Sequence, residues 1–199
     1  MNVDFSNRRA AHLCIDMQRM FAEQTEWHTP WMASVLPVVT EIAGRHAART
    51  IFTRFIPPER PEDAPGAWRG YFERWRRFTR SEIDPELLEL VGPLRDLVPP
   101  ATLCDKPGLS AFERTDLYSF LLARRVDTVV VTGAETDVCV LATVLSAVDH
   151  GFLVVLPKDA LCSSADETHD ALLTLYAKRF AKQVILTDAE HLLSRWTAA

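Results

Sequence analysis

The chain has 199 residues, of which 48% are hydrophobic, and this size fits one well-buried core, so we expect a single domain over residues 1–199. The formal net charge of −5 argues against nucleic acid as a partner, because phosphate binding usually needs a basic face. No apolar run reaches the roughly 18 residues of a membrane span, and the polar N-terminus does not look like a signal peptide, so we expect a cytoplasmic protein without a membrane partner.

Short apolar runs rich in branched residues alternate with segments of helical period. The runs predict six strands, at residues 11–15, 50–55, 102–105, 128–132, 153–156 and 183–186. Helices are predicted from Thr29-Pro30 to about residue 49, over residues 137–150, and after the capping-box patterns that begin at Ser164 and Thr187. Strands separated by helices predict an α/β fold, in which helices cover both faces of a parallel sheet.

Residues 56–100 interrupt this alternation with a long segment after the second strand. The segment opens with Ile56-Pro57-Pro58 and continues with an arginine- and aromatic-rich run from Trp68 to Phe78. Insertions of this length are usually functional or disordered, and the aromatic residues argue against disorder. We therefore predict a lid or a subunit contact over the site.

Asp16, Lys106 and Cys139 each lie at or just past the end of a predicted strand. The carboxyl ends of parallel strands meet at one edge of a sheet, where ligands bind. An acid, a cation and a thiol at that edge can activate a sulfur nucleophile. The sequence therefore indicates an enzyme.

Each of these three residues has a predicted role. Cys139 is expected about three residues into a helix capped by Thr136, where the helix N-terminus would lower the pKa of the thiol. A thiolate there could attack a carbonyl carbon. Asp16 would accept the thiol proton and later donate it to the leaving amine. Lys106 would stabilise the thiolate and orient Asp16.

The other cysteines and the histidines give no metal-binding pattern. Cys14, Cys104 and Cys162 are far apart and form no C-x-x-C pair, so we expect free thiols. None of the six histidines pairs with another at i+2 or i+4, and H-E-x-x-H does not occur. We expect no metal and no cofactor.

Three segments together resemble the isochorismatase-like cysteine hydrolases, which include nicotinamidases and N-carbamoylsarcosine amidases. They are Asp16-Met17-Gln18 with Phe21, Lys106 with Ser110-Ala111-Phe112, and Gly133-Ala134-Glu135-Thr136-Asp137-Val138-Cys139-Val140. The resemblance extends over about residues 12–189. It implies a Rossmann-like, three-layer α/β/α fold with a six-stranded parallel sheet in the order 3-2-1-4-5-6. It also implies a catalytic triad of Asp16, Lys106 and Cys139, and a homodimer or homotetramer.

The resemblance also implies features of the oxyanion site. It places a non-proline cis peptide between Ala134 and Glu135, and it assigns the oxyanion hole to the backbone N–H groups of Glu135 and Cys139. Nicotinamidases carry an Asp-x-His metal site after the second strand, but here that stretch is Thr53-Arg54-Phe55-Ile56-Pro57, with no histidine nearby. This departure argues against a metal and against nicotinamide as the substrate.

The predicted function is a cysteine-dependent amidohydrolase that cleaves a C–N bond of a small amide, ureido or carbamoyl compound through a thioester. Phe21, Trp27 and Trp68 are expected to wall the substrate pocket, and Arg54 to bind a carboxylate or carbonyl group. One alternative is an isochorismatase-type vinyl-ether hydrolase, whose chemistry does not need the thiol. The other is a non-catalytic binding protein or thiol sensor on the same fold.

Overall fold

The fold is organised by a parallel sheet, seen in a computed structural model that describes residues 3–197. Its strands are β1 Ala10–Ile15, β2 Thr50–Phe55, β3 Thr102–Lys106, β4 Thr128–Ala134, β5 Leu153–Pro157, β6 Leu161–Cys162 and β7 Val184–Thr187. The order is β3-β2-β1-β4-β5-β7, and β6 pairs with the end of β4. The predicted fold class and the order of the six main strands are confirmed. The two-residue strand β6 was not predicted.

Eight α-helices connect or flank these strands in the described residues. They are α1 Arg19–Ala22, α2 Met32–Arg45, α3 Trp68–Arg74, α4 Gly92–Arg95, α5 Leu117–Ala123, α6 Leu141–Asp149, α7 Asp166–Arg179 and α8 Ala189–Arg195. A π-helical turn, Thr136–Val140, precedes α6, and short 3-10 turns lie between other elements. No helix in residues 3–197 is both long and apolar enough to cross a membrane.

Several helix boundaries differ from the sequence patterns. Helix α2 begins at Met32 and ends at Arg45, so Pro30 lies outside it. The predicted capping box at Ser164 does not form, because Ala165 is the N-cap of α7. At α8 the N-cap is Asp188 instead of Thr187, and its carboxylate accepts a hydrogen bond from the N–H of His191.

The two faces of the sheet are covered by different helices. Alternate residues of β1 point to opposite sides, so Cys14 packs with α2 and α8, while Leu13 packs with α5, α6 and α7. Both cores consist mainly of aliphatic side chains that are almost fully buried. The loops at the carboxyl edge of the sheet are therefore held on a rigid base.

The insertion at residues 56–100 packs on this edge through an aromatic cluster. Phe72 and Phe78 of the insertion share a small core with Met20 and Phe55. Trp27 stacks on Phe78 with a centroid separation of 3.9 Å, which connects the insertion to the loop after α1. The insertion is thus ordered by contacts beside the site. Its role as a lid or a subunit contact remains a prediction.

Candidate active site

Asp16 and Lys106 form a buried ion pair at the carboxyl edge of the sheet. Asp16 directly follows β1, and Lys106 is the last residue of β3, two strands away. The Lys106 Nζ lies 2.7 Å from Asp16 Oδ2, and the two side chains are 0% and 1% exposed. Parallel strand ends bring together two residues that are far apart in sequence, as the sequence pattern predicted.

Hydrogen bonds fix both members of the pair. The Thr53 hydroxyl donates to Asp16 Oδ1 at 2.6 Å, and the Lys106 ammonium donates to the carbonyl oxygen of Gly108 at 2.8 Å. Burial acts to lower the pKa of Lys106, but the ion pair with Asp16 outweighs it, and the pKa lies above its usual value. Lys106 is therefore charged at neutral pH.

Cys139 brings its thiol to this ion pair from the turn after β4. Burial raises the pKa of the Cys139 thiol well above its usual value, and Asp16 raises it further, while Lys106 opposes the shift. This corrects the expectation of a lowered thiol pKa. The thiols of Cys14 and Cys162 are also buried, and burial raises their pKa values too. Cys139 is distinguished by the influence of both Asp16 and Lys106 on its thiol, not by acidity.

The turn that carries Cys139 is π-helical, and its N-cap is Glu135, which corrects the expected cap at Thr136. The Thr136 hydroxyl instead donates to the carbonyl oxygen of Cys162 at 3.1 Å and is hydrogen-bonded to Nδ1 of His169 at 2.9 Å. Asp137 accepts a hydrogen bond from Ser163 at 2.6 Å. These bonds tie the turn to β6 and α7 and fix the thiol position.

The backbone that leads into this turn is unusual at two positions. Gly133 has a φ of +102°, and a Cβ atom there would lie 2.2 Å from the carbonyl oxygen of Ile15. Only glycine therefore allows β4 to approach β1 this closely beside Asp16. The peptide bond between Ala134 and Glu135, one residue further along the chain, is cis, at the position that the resemblance indicates.

A cavity of about 200 Å³ opens above Cys139. Its lining includes three of the expected substrate-binding residues, Phe21, Trp27 and Trp68. The lining residues that were not predicted to bind substrate include Glu26, His28, Tyr71 and Glu135. Tyr71 could have been found because it lies one helical turn after Trp68. Glu135 was assigned only a backbone role, and its side-chain direction has no signal in the sequence.

Arg54 does not line this cavity. Its guanidinium makes two parallel hydrogen bonds to Asp105, of 2.7 and 2.8 Å, and a third of 2.7 Å to Glu89. These bonds connect β2 to β3 and to the insertion. The structure therefore replaces the expected substrate contact of Arg54 with a structural role, because its donors are already engaged by carboxylates.

The residues present do not fit a metal ion. Within residues 3–197, no group of three or more His, Cys, Asp or Glu side chains is placed to hold one. The stretch after the second strand, residues 53–57, contains no histidine, and the Thr53 hydroxyl in it donates a hydrogen bond to Asp16. We derive no catalytic step through a metal.

Comparisons with known proteins agree with this geometry. The isochorismatase domain profile matches residues 10–189. Nicotinamidase 3 of Arabidopsis thaliana is 31% identical over 179 residues, which cover 89% of this chain and 85% of that protein. The uncharacterized isochorismatase family protein YaaI of Bacillus subtilis is 26% identical over 113 residues, which cover 57% of this chain and 60% of YaaI. The match thus spans less than two thirds of YaaI.

A solved structure shows the same architecture. The crystal structure of a cysteine hydrolase from Pseudomonas syringae pv. phaseolicola superposes with a TM-score of 0.81 at 25% sequence identity. The superposition covers 94% of this chain and 92% of that one. With the family profile matched along most of its length, the chain belongs to the isochorismatase family.

Proposed function

We propose that the protein is a cysteine-dependent amidohydrolase that cleaves a C–N bond of a small amide, ureido or carbamoyl compound through a thioester. The observation that carries the proposal is the buried ion pair of Asp16 and Lys106 beside the Cys139 thiol, below an open cavity. The name of the related nicotinamidase supports an amide as the bond that is cleaved. Asp16, Lys106 and Cys139 are the proposed catalytic residues.

The first half of the proposed reaction forms the thioester. The resting thiol is neutral, so Asp16 removes its proton as the sulfur attacks the carbonyl carbon. Lys106 stabilises the negative charge that develops on sulfur. The backbone N–H groups of Glu135 and Cys139 are proposed to hold the oxyanion. Asp16 then returns the proton to the departing nitrogen, which leaves as ammonia or an amine.

The second half hydrolyses the thioester. Asp16 is a carboxylate again after the amine has left, and it removes a proton from a water molecule that attacks the same carbonyl carbon. The thiolate leaves and takes back the proton from Asp16, which restores the resting state. Throughout the cycle Asp16 alternates between base and acid. Lys106 supplies the positive charge that compensates the buried Asp16 carboxylate.

Ammonia release from a panel of small amides and ureido compounds tests this proposal. We expect release by the wild-type protein, no effect of a chelator, and loss of release in Cys139→Ala because the nucleophile is gone. Asp16→Asn should lose turnover as well, since no base remains to take the thiol proton. Circular dichroism of each variant checks that the fold is retained.

Other outcomes would favour the alternatives. A Cys139→Ala variant that stays active would contradict the thioester mechanism, and isochorismate would be the next compound to test. Absence of turnover with every compound, together with a thiol that is readily oxidised, would favour a sensor over an enzyme.

A further inference from the structure

The side chain of Glu135 is a carboxylate without a counterion in the wall of the cavity. It is half-buried, and its hydrogen bonds from the protein all go to Oε1, from the backbone N–H of Ser164 at 2.9 Å and the Thr29 hydroxyl at 3.3 Å. In the part of the chain that the structure describes, no cationic side chain pairs with it. Oε2 accepts no hydrogen bond from the described residues and is not among their fully buried polar atoms, so it is open to a ligand.

The rest of the lining does not balance this charge. Glu26 also lines the cavity, and its partner is Arg77, which is 72% exposed. Such a pair is weakened by water and salt and contributes little positive potential to the cavity. Across the described residues, the lining contains no lysine or arginine, and His28 is its one basic side chain. The cavity therefore has a negative electrostatic character.

The aromatic wall adds to this character. The Trp27 ring lies 6.2 Å from the ring centroids of both Phe21 and Tyr71, and Trp68 packs edge-on to Tyr71 at 5.2 Å. Aromatic faces are negative, so they attract cations and exclude water. Burial raises the pKa of Tyr71, and the nearby Cys139 and Glu135 add to the shift.

Building on the proposed amidohydrolase function, we infer that the substrate carries a cationic nitrogen group at the end remote from the scissile bond, and that Glu135 binds this group. A cation placed there would pair with Oε2 and lie beside the aromatic wall. A carboxylate there would lose its hydration without gaining a counterion. Amides with a second, anionic group should therefore be excluded.

Binding to the inactive Cys139→Ala variant tests this inference independently of catalysis. The probes are three benzamides of similar shape: 3-(aminomethyl)benzamide, which is cationic, 3-ethylbenzamide, which is neutral, and 3-carbamoylbenzoate, which is anionic. We expect the cation to bind about tenfold more tightly than the neutral probe, and the anion to bind most weakly. Tryptophan fluorescence follows the titration, since Trp27 and Trp68 line the cavity.

Two variants with the same net charge, each made in the Cys139→Ala background, distinguish the effect of Glu135 from the effect of the net charge of the protein. Glu135→Gln keeps an acceptor oxygen for Ser164 and Thr29, and it should reduce the preference for the cation at least about fivefold. Glu41→Gln removes the same charge from an exposed position on α2, paired with Arg45, and should leave the preference unchanged. Thermal melts verify that each variant is folded. A salt titration of the Cys139→Ala protein that retains Glu135 gives a second readout, because the preference for the cationic probe should decrease as salt screens the charges.

Equal binding of the three probes, preference for the anion, or a cation preference that survives Glu135→Gln would each overturn the inference. These outcomes concern ligand charge alone. Failure of the proposed function would appear separately, as absence of ammonia release by the wild-type protein from cationic and neutral amides alike.

Discussion

The Cys139 thiol is a weak acid in the resting protein, because burial and the neighbouring carboxylate both raise its pKa. Reactive cysteines in many enzymes are instead ionised in advance by a cationic neighbour. Here Lys106 is present, but its charge is shared with Asp16 at 2.7 Å. Proton transfer to Asp16 must therefore accompany attack, and a thiol without substrate should react slowly with alkylating agents.

Arg54 provides a prediction at the same scale. Arg54→Ala should change kcat/KM by the same factor for acidic and neutral amides, because the guanidinium bonds Asp105 and Glu89 instead of substrate. The loss of these partly exposed charge-assisted bonds should lower the free energy of unfolding by about 1–2 kcal/mol. Steady-state kinetics with a matched acidic and neutral pair, together with urea unfolding, measure both effects. A KM increase confined to the acidic amide would show instead that Arg54 contacts the substrate.

At the scale of elements, His12 connects three strands. Its Nδ1 is hydrogen-bonded to Thr50 of β2 at 3.1 Å, and its Nε2 to Thr132 of β4 at 2.8 Å. Burial lowers the pKa of His12 from 6.5 to about 3, with a smaller contribution from His46. The neutral ring is therefore part of the folded sheet, and its protonation opposes folding.

This depressed pKa predicts the direction of acid sensitivity. Between pH 6.5 and about pH 3, His12 is protonated in the unfolded chain but neutral in the folded protein. The free energy of unfolding is therefore highest above pH 6.5 and decreases as the pH falls below it. His12 should contribute a loss of about 2 kcal/mol between about pH 7 and about pH 5. Urea unfolding at the two pH values measures it.

His12→Gln should remove this part of the pH dependence, although the variant is less stable at neutral pH. His150→Gln, at an exposed position after α6, is the control and should keep the full pH dependence. An unchanged pH dependence in His12→Gln would show that another group causes the acid loss.

The elements that the sequence predicted are those with a strong local signal. Apolar runs bounded by turns identified β1 to β5 and β7, but β6 has two residues and gives no period. The π turn at Thr136–Val140 was predicted as an ordinary helix start, because its geometry depends on bonds to β6 and α7 that are distant in sequence. The capping pattern at Ser164 was wrong since the N–H of Ser164 is bonded to Glu135 instead.

The positions of the site residues could be predicted from the sequence where they depend on the ends of predicted strands. Parallel topology brought Asp16 and Lys106 to one edge, and the aromatic residues of the insertion were expected over it. Side-chain direction was not predictable in the same way. Arg54 points to Asp105 on the adjacent strand, and the Glu135 carboxylate lines the cavity, for reasons that only the tertiary contacts contain.

At the scale of the whole molecule, the site exists only when the complete sheet has formed. Asp16 follows β1, Lys106 ends β3 and Cys139 follows β4, and these strands pair only through contacts that are long-range in sequence. The insertion then supplies part of the cavity wall through Trp68 and Tyr71. Activity should therefore be lost together with global structure, not before it, as denaturant is added.

We expect the buried ion pair at the carboxyl edge of the sheet to contribute little to the stability of the fold. Two charges that are 0% and 1% exposed have lost their hydration, and their mutual attraction offsets only part of that loss. Lys106→Met alone should lower the free energy of unfolding by about 3–5 kcal/mol, because it leaves Asp16 buried and unpaired. The double variant Asp16→Asn/Lys106→Met should recover most or all of this loss while remaining inactive, as urea unfolding and ammonia release would measure.

A double variant that stays as unstable as Lys106→Met alone would show instead that the pair is a net stabiliser of the fold. With the expected result, the charge pair that turnover requires would add little or nothing to the stability of the fold. Selection for activity, and not for stability, would then account for this pair of side chains.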